Sequence, residues 1–201
     1  MQPRATIPTS NAADGGHAPG HAPLIEPDDN ELLRRAAHGE GRAFHQLVDR
    51  HSGRLYRLAV SLVGNAADAE DVVQEAFVGA YRGLRTFEGR ASVKTWLTRI
   101  LVTQAAKWRR DNRRRTAGRT EEANEVAAGG SGTAASGAKI DLHAALQQLS
   151  NDHRQVLVLR EMEQLSYEEM AEVLGVPRGT VESRLFRARA ELREKLKAYL
   201  P

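Results

Sequence analysis

Apolar residues recur along this chain at intervals of three and four, the period of a helix with one buried stripe, and no stretch alternates with the two-residue period of a strand. An all-α fold is therefore expected. Asp28 is an acidic N-cap ahead of Leu32, Leu33 and Ala36; Phe44, Leu47 and Val48 follow, then Leu55, Leu58, Ala59 and Leu62. Two or three helices fit, with Gly39, Gly41 and Gly53 as breaks or bends. Asn65 caps a helix over residues 66–84 with Ala69, Val72, Val73, Ala76, Phe77, Ala80 and Leu84 inward. Asp71, Gln74, Glu75 and Val78 lie on its other face. Ser92 caps the next helix, whose inner stripe is Val93, Trp96, Leu97, Ile100, Leu101, Ala105 and Trp108. After residue 140, Leu142, Leu146 and Leu149, then Val156, Leu157, Leu159 and Met162, mark two further helices.

Residues 166–200 carry the strongest local signals. Ser166 and Glu169 have capping-box spacing, in which each side chain satisfies a backbone N–H at a helix start. Gly175 suits the left-handed closing turn, and Pro177 pre-sets the backbone for a second helix from about Arg178. Small Ala171, Gly175 and inward Val181 let two helices cross around a short turn, a helix-turn-helix. In its second helix Val181, Leu185, Ala188, Leu192 and Leu196 form one stripe, while Thr180, Ser183, Phe186 and Arg187 point away. An outward Phe186 can meet a thymine methyl, Arg187 a guanine or a phosphate, with Ser183 adaptable and Arg178 on phosphate. For Arg184 and Arg189, phosphate contact and a salt bridge to a neighbouring glutamate are equally open.

Composition divides the chain. Residues 1–27 are rich in Pro, Gly, Ala and Ser/Thr without a period and are expected to be a disordered tail; residues 116–139 read as a flexible linker. The expected division is thus a helical domain at 28–115 and a helix-turn-helix domain at 140–201. A 24-residue linker of this kind spans about 25 to 30 Å on average. No apolar run approaches a membrane span and no secretory signal opens the chain, so the cytoplasm is the default location. Cys is absent, which excludes disulfides, a thiol nucleophile and cysteine-based zinc sites. The seven histidines show no metal-ligand spacing, and no H-E-x-x-H occurs, against a metal hydrolase. No cofactor or metal is expected.

Net charge is only +3, but it is unevenly spread. Residues 90–119 hold ten Lys/Arg against the single acid Asp111, and residues 178–197 hold seven against three. Residues 65–75 hold four acids and no base. Two basic blocks on separate helical segments, one of them in a helix-turn-helix, point to nucleic acid.

In this order and spacing, the segments FHQLVDRHSGRLYRLAVSLVG, NAADAEDVVQEAFVGAYRGLRTFEG, ASVKTWLTRILV and LREMEQLSYEEMAEVLGVPRGTVESRLFRARAELREKL resemble a bacterial sigma factor of the extracytoplasmic-function group. These are the small sigma-70 relatives that keep regions 2 and 4; the likeness covers roughly residues 40–115 and 140–198. It implies a transcription initiation factor, not an enzyme in itself, with core RNA polymerase and promoter DNA as partners, no small-molecule substrate, no membrane insertion, and an anti-sigma factor as a common family partner. The face with Asp71, Gln74 and Glu75, with Asp68 at its N-terminal end, is then the one that docks on the β′ clamp helices. Lys94, Arg99, Thr103, Lys107 and Arg110, with the loop at Phe87, would take the −10 element and hold a base drawn from the stack. Arg178, Thr180, Glu182, Ser183, Arg184, Phe186 and Arg187 would serve the −35 element beside the β flap. Two departures from the family pattern bear on base preference: Glu182 stands where relatives often carry a basic residue, and Thr103 where an Asn is common. The rival reading, a free-standing helix-turn-helix regulator, accounts for the second basic block but leaves the acidic face and the first block unexplained.

Overall fold

The computed structural model describes residues 27–117 and 142–197; the expected tail over residues 1–26 and most of the expected linker lie outside them. Among the described residues there are eight α-helices and no strand. The first group is α1 (Asp29–Ala37), α2 (Gly41–Val63), α3 (Ala66–Gly83) and α4 (Val93–Ala117). The second is α5 (Leu142–Gln147), α6 (Asn151–Glu161), α7 (Tyr167–Leu174) and α8 (Arg178–Leu196).

Local signals set the boundaries. The side chains of Asp28, Asn65, Ser92 and Ser150 accept from Glu31 N at 2.8 Å, Asp68 N at 2.9 Å, Thr95 N at 3.0 Å and His153 N at 3.3 Å, each satisfying an amide that the first turn leaves orphaned. Gly64 ends α2 with φ 101°, in the left-handed region. Two expected boundaries move. Gly53 does not break α2, because the i to i+4 ladder and the buried stripe on both sides carry the helix through it. Helix α4 runs on to Ala117, past the expected domain edge at residue 115.

Helix α2 is the axis of the first group, packing on α1, α3 and α4 through fully buried Leu55, Leu58, Ala59 and Leu62. In the second group α8 lies on α6 and α7 around Val156, Leu159, Met170, Val181 and Leu185. The two groups also touch: α2 meets α5 and α6, α4 meets α7, and the buried apolar residues form one connected cluster. Leu142 and Met162, expected inside, are 51% and 45% exposed. Leu142 begins a six-residue helix with little to pack on, and Met162 lies just past the end of α6, where its sulfur accepts from Ser61 Oγ at 3.4 Å. Leu165 takes the inward position instead. Between them Gln164 adopts φ 57°, a left-handed conformation uncommon for a side chain of its size.

Candidate nucleic-acid and partner surfaces

The helix-turn-helix forms as its caps require. Ser166 Oγ accepts from Glu169 N at 3.1 Å, and Ser166 N donates to Glu169 Oε2 at 2.9 Å. Gly175 turns the chain at φ 65°, and Pro177 precedes the first residue of α8. With Val181, Leu185 and Ala188 buried against α6 and α7, the opposite face of α8 is left to solvent. Phe186 is 76% exposed, beside exposed Ser183 and Arg187 and half-buried Thr180. No ion pair holds Arg187 among the described residues, so its guanidinium is available to a ligand. Three other arginines on this helix are engaged. Arg178 pairs with Glu182 at 2.8 Å and with Glu168, and its guanidinium sits over the Tyr167 ring. Hydrogen bonding to Glu182, with the Glu168 charge next, holds Arg178 above its ordinary value. Arg184 pairs with Asp152, an aspartate and not a glutamate, and Arg189 with Glu161, each at 2.8 Å; both guanidinium groups are thus engaged within the chain.

On α4 the predicted −10 residues divide between two grooves. Phe87 stacks at a tilt on Trp96, centroids 5.0 Å apart, and both line a hollow with Thr86, Arg90, Arg99 and Glu172. Lys94 flanks it, but its ammonium donates to Glu163 O at 2.9 Å, and Arg99 lies 3.9 Å from the Glu172 carboxylate. Lys107 faces the other way, into a groove it shares with Asp71, Glu75, Gln104 and Trp108. Arg110 is exposed, and the exposed Thr103 hydroxyl donates to Arg99 O at 2.9 Å within its own helix. That bond spends the hydroxyl proton and leaves oxygen lone pairs for a base donor.

Asp71, Gln74 and Glu75 are exposed along a ridge of α3, and Asp68 behaves differently. Its carboxylate accepts from the Trp108 indole N–H at 3.2 Å and from the Asn65 amide, tying α3 to α4. Beside the ridge, Val48, Tyr56, Val73 and Phe77 line an apolar groove with Gln74 and Glu70 at its edge. Val73 and Phe77, expected wholly inside, are half-buried there. An apolar trough edged by carboxylates fits a basic amphipathic helix.

Four charged residues that periodicity did not single out have large structural parts. Arg154, 9% exposed, donates to Leu146 O, Gln147 O and Leu149 O, and across the two groups to Leu62 O at 3.0 Å. Arg109, within the basic run of α4, turns in and donates to the same Leu62 O at 3.3 Å. Burial, then the neighbouring Arg154 and Arg113 charges, lowers its guanidinium to about 10. Arg54 reaches from α2 to the buried carboxylate of Glu163, and to Thr98 Oγ1 at 3.0 Å. The only trace of such partners in the sequence is the charge itself at a position that proves to be buried, as at Arg154 and Glu163. Among the described residues no group of His or carboxylate side chains is arranged to hold a metal ion, and no helix is long and apolar enough to cross a membrane.

Comparison with known proteins assigns both groups. A model of sigma-70 region 2 matches residues 47–115, and one of sigma-70 region 4 matches residues 139–192. The RNA polymerase sigma-H factor of Pseudomonas aeruginosa is 35% identical over 88% of this chain and 98% of its own. The ECF RNA polymerase sigma-E factor of Escherichia coli K12 is 37% identical over 84% and 94%. Among solved structures, the sigma factor RpoE in complex with the anti-sigma factor NepR from Bartonella quintana superposes with TM-score 0.65 at 31% identity, covering 77% of this chain and 96% of that one. CnrH in complex with the cytosolic domain of CnrY superposes with TM-score 0.63 at 34% identity, covering 85% and 97%.

Proposed function

The chain belongs to the sigma-70 family, as an extracytoplasmic-function sigma factor with regions 2 and 4, and from that premise we propose how its surfaces divide the work of initiation. It is an alternative sigma factor, a transcription initiation factor and not an enzyme, and the reading as a free-standing regulator is not favoured. Its partners are core RNA polymerase and promoter DNA. An anti-sigma factor is a third, since the similar RpoE is a sigma factor held by the anti-sigma factor NepR. The site of action is the cytoplasm, where polymerase and promoter are. Residues 28–115 serve as the region 2 domain and 140–201 as the region 4 domain.

Asp71, Gln74 and Glu75, with the apolar trough beside them, dock on the basic β′ clamp helices. Asp68 supports that ridge through Trp108. Phe87, Lys94 and Arg99 surround the hollow that takes a flipped −10 base, with Thr103 and Arg110 following the strand along α4; the binding energy offsets the cost of unstacking. Lys107, placed with Asp71 and Glu75, serves the joint between polymerase and DNA. On α8, Phe186 and Arg187 read the −35 element, Thr180 and Ser183 adapt to it, and the region 4 domain also touches the β flap. Arg178, Glu182 and Arg184 reach DNA by exchanging their present partners for phosphate or base edge. The observation that carries this reading is the order of surfaces: an acidic ridge and a basic helix in region 2, then a helix-turn-helix with an outward aromatic residue in region 4.

Run-off transcription from a promoter library, using purified protein and core polymerase, tests it. Initiation from a restricted set of promoters with shared −35 and −10 sequences is expected. Absence of run-off product together with failure to co-purify with core would reject it, and tight specific duplex binding without polymerase would favour the regulator.

A further inference from the structure

Glu182 lines the same hollow on α8 as the exposed ring of Phe186, with Tyr167, Leu185, Arg189 and Arg193 around them. Arg178, Glu182 and Phe186 stand four residues apart in turn, so they follow one another along one face of the helix. An anion thus occupies the middle of a surface that faces a polyanion. It is held there by a cation. Arg178 Nε donates to Glu182 Oε1 at 2.8 Å, its Nη1 donates to the Glu168 carboxylate on α7, and its guanidinium lies 5.9 Å from the centre of the Tyr167 ring. Helix energetics does not explain this arrangement. Arg178 opens α8, where the positive end of the helix disfavours a cation, and an acid four residues after its cation is the weaker of the two orders. The pair is also exposed, with 58% of the Arg178 side chain and 46% of the Glu182 side chain open to solvent, so it adds little to stability. What it does achieve is to fix a carboxylate on the outward face of α8 and to cancel its charge.

We propose that Glu182 is a specificity-determining residue that accepts from the N4 amino group of a cytosine in the −35 element, with Arg178 the positioning residue that aims its carboxylate. The inference rests on the −35 assignment made above and names a base within it. An ionised carboxylate only accepts, and in the major groove the guanine and thymine edges present it with further acceptors, N7, O6 and O4. Adenine and cytosine alone carry donors there. Adenine sets its N6 amino group beside the N7 acceptor, a pattern matched by an amide that both accepts and donates, whereas cytosine offers its N4 amino group with no acceptor next to it. Cytosine is therefore the base that this side chain selects. Its place follows from the helix. Four residues of helix advance about 6 Å and one base step about 3.4 Å, so the cytosine lies one or two steps from the thymine whose methyl group meets Phe186. On the duplex Arg178 exchanges Glu168 for a phosphate and Glu182 turns an oxygen to the base edge, with the short link between the two side chains setting where that oxygen points. The contact to Glu168 is exposed on both sides and readily given up.

The test is run-off transcription by the full chain with core polymerase from a promoter library randomised through the −35 element, the templates of the transcripts being sequenced to give the base preferred at each position. With the parent chain, one position should favour cytosine by about tenfold, one or two steps from a favoured thymine. E182Q places there an amide suited to adenine N6 and N7, and should move that position from cytosine to adenine while the other positions keep their bases. E182A should remove the preference at that position alone. R178A should weaken the same preference, and R178K, which keeps the charge without the planar fork, should restore only part of it. All four variants change exposed side chains, and their thermal unfolding should match that of the parent. Preferences left unchanged by both E182Q and E182A, or lost equally at every position, would overturn the inference and leave the −35 assignment standing. A parent chain that does not initiate, or initiates with no −35 preference at all, would overturn both.

Discussion

Arg154 and Phe186 show how differently two residues that break the apolar pattern can be used. Arg154 lies within the buried stripe of α6 and satisfies four backbone carbonyls, three in its own group and one at the end of α2. Replacing it with Met fills the space but leaves those acceptors dry, so Arg154→Met should lower unfolding free energy by about 2 to 3 kcal/mol in urea titration. Phe186 has no such duty. Its ring is exposed and its neighbour Arg187 carries no ion pair among the described residues. Phe186→Ala and Arg187→Ala should therefore leave unfolding within about 0.5 kcal/mol of the parent chain. Both should reduce transcription from promoters that depend on the −35 element more than they reduce affinity for core polymerase. A fall in core affinity with unchanged promoter preference would show that this face of α8 meets the polymerase instead.

At the level of the element, helix α7 depends on its ends more than on its length. It has eight residues, too few to be stable alone, and is held by the capping box, by buried Met170 and Val173, and by α8. Ser166→Ala should cost about 1 kcal/mol of stability by chemical denaturation. The cap also has a pH signature. The Ser166 backbone N–H, with the Ser166 hydroxyl, Thr95 and the Lys94 charge adding to it, holds Glu169 below the ordinary value of 4.5, against the opposing effect of burial. A carboxylate lowered on folding contributes stability that is present above its unfolded value and is lost as pH falls through the folded one. Stability should thus fall as pH drops below about 4.5, and Glu169→Gln should flatten that part of the profile in thermal unfolding followed by circular dichroism.

Across the whole molecule, what could be read from residues alone was what short range decides. The caps at Asp28, Asn65, Ser92 and Ser166, the turn at Gly175 and the stripe of α8 each depend on neighbours within a few positions, and periodicity reports them. Gly53 misled because a glycine's preference for breaking a helix is weaker than burial on either side of it. Surfaces were legible as sets of charges but not as grooves: the eight-residue spacing that joins Arg99 to Lys107 on a helix did not reveal that they face different hollows. The bonds of Arg54, Arg109 and Arg154 were illegible because partners 109, 47 and 92 positions away leave no period in the sequence. That separation has a consequence in time. During synthesis the four N-terminal helices emerge and can bury their own core before Glu163 exists. At ribosomal rates of about 5 to 20 residues per second, the 109 positions between Arg54 and Glu163 leave a nascent chain uncovered for roughly 5 to 20 s. A newborn chain thus passes through an interval in which Glu163 is not yet there to meet Arg54, and the first anion at that guanidinium is whichever arrives before its own C-terminal half.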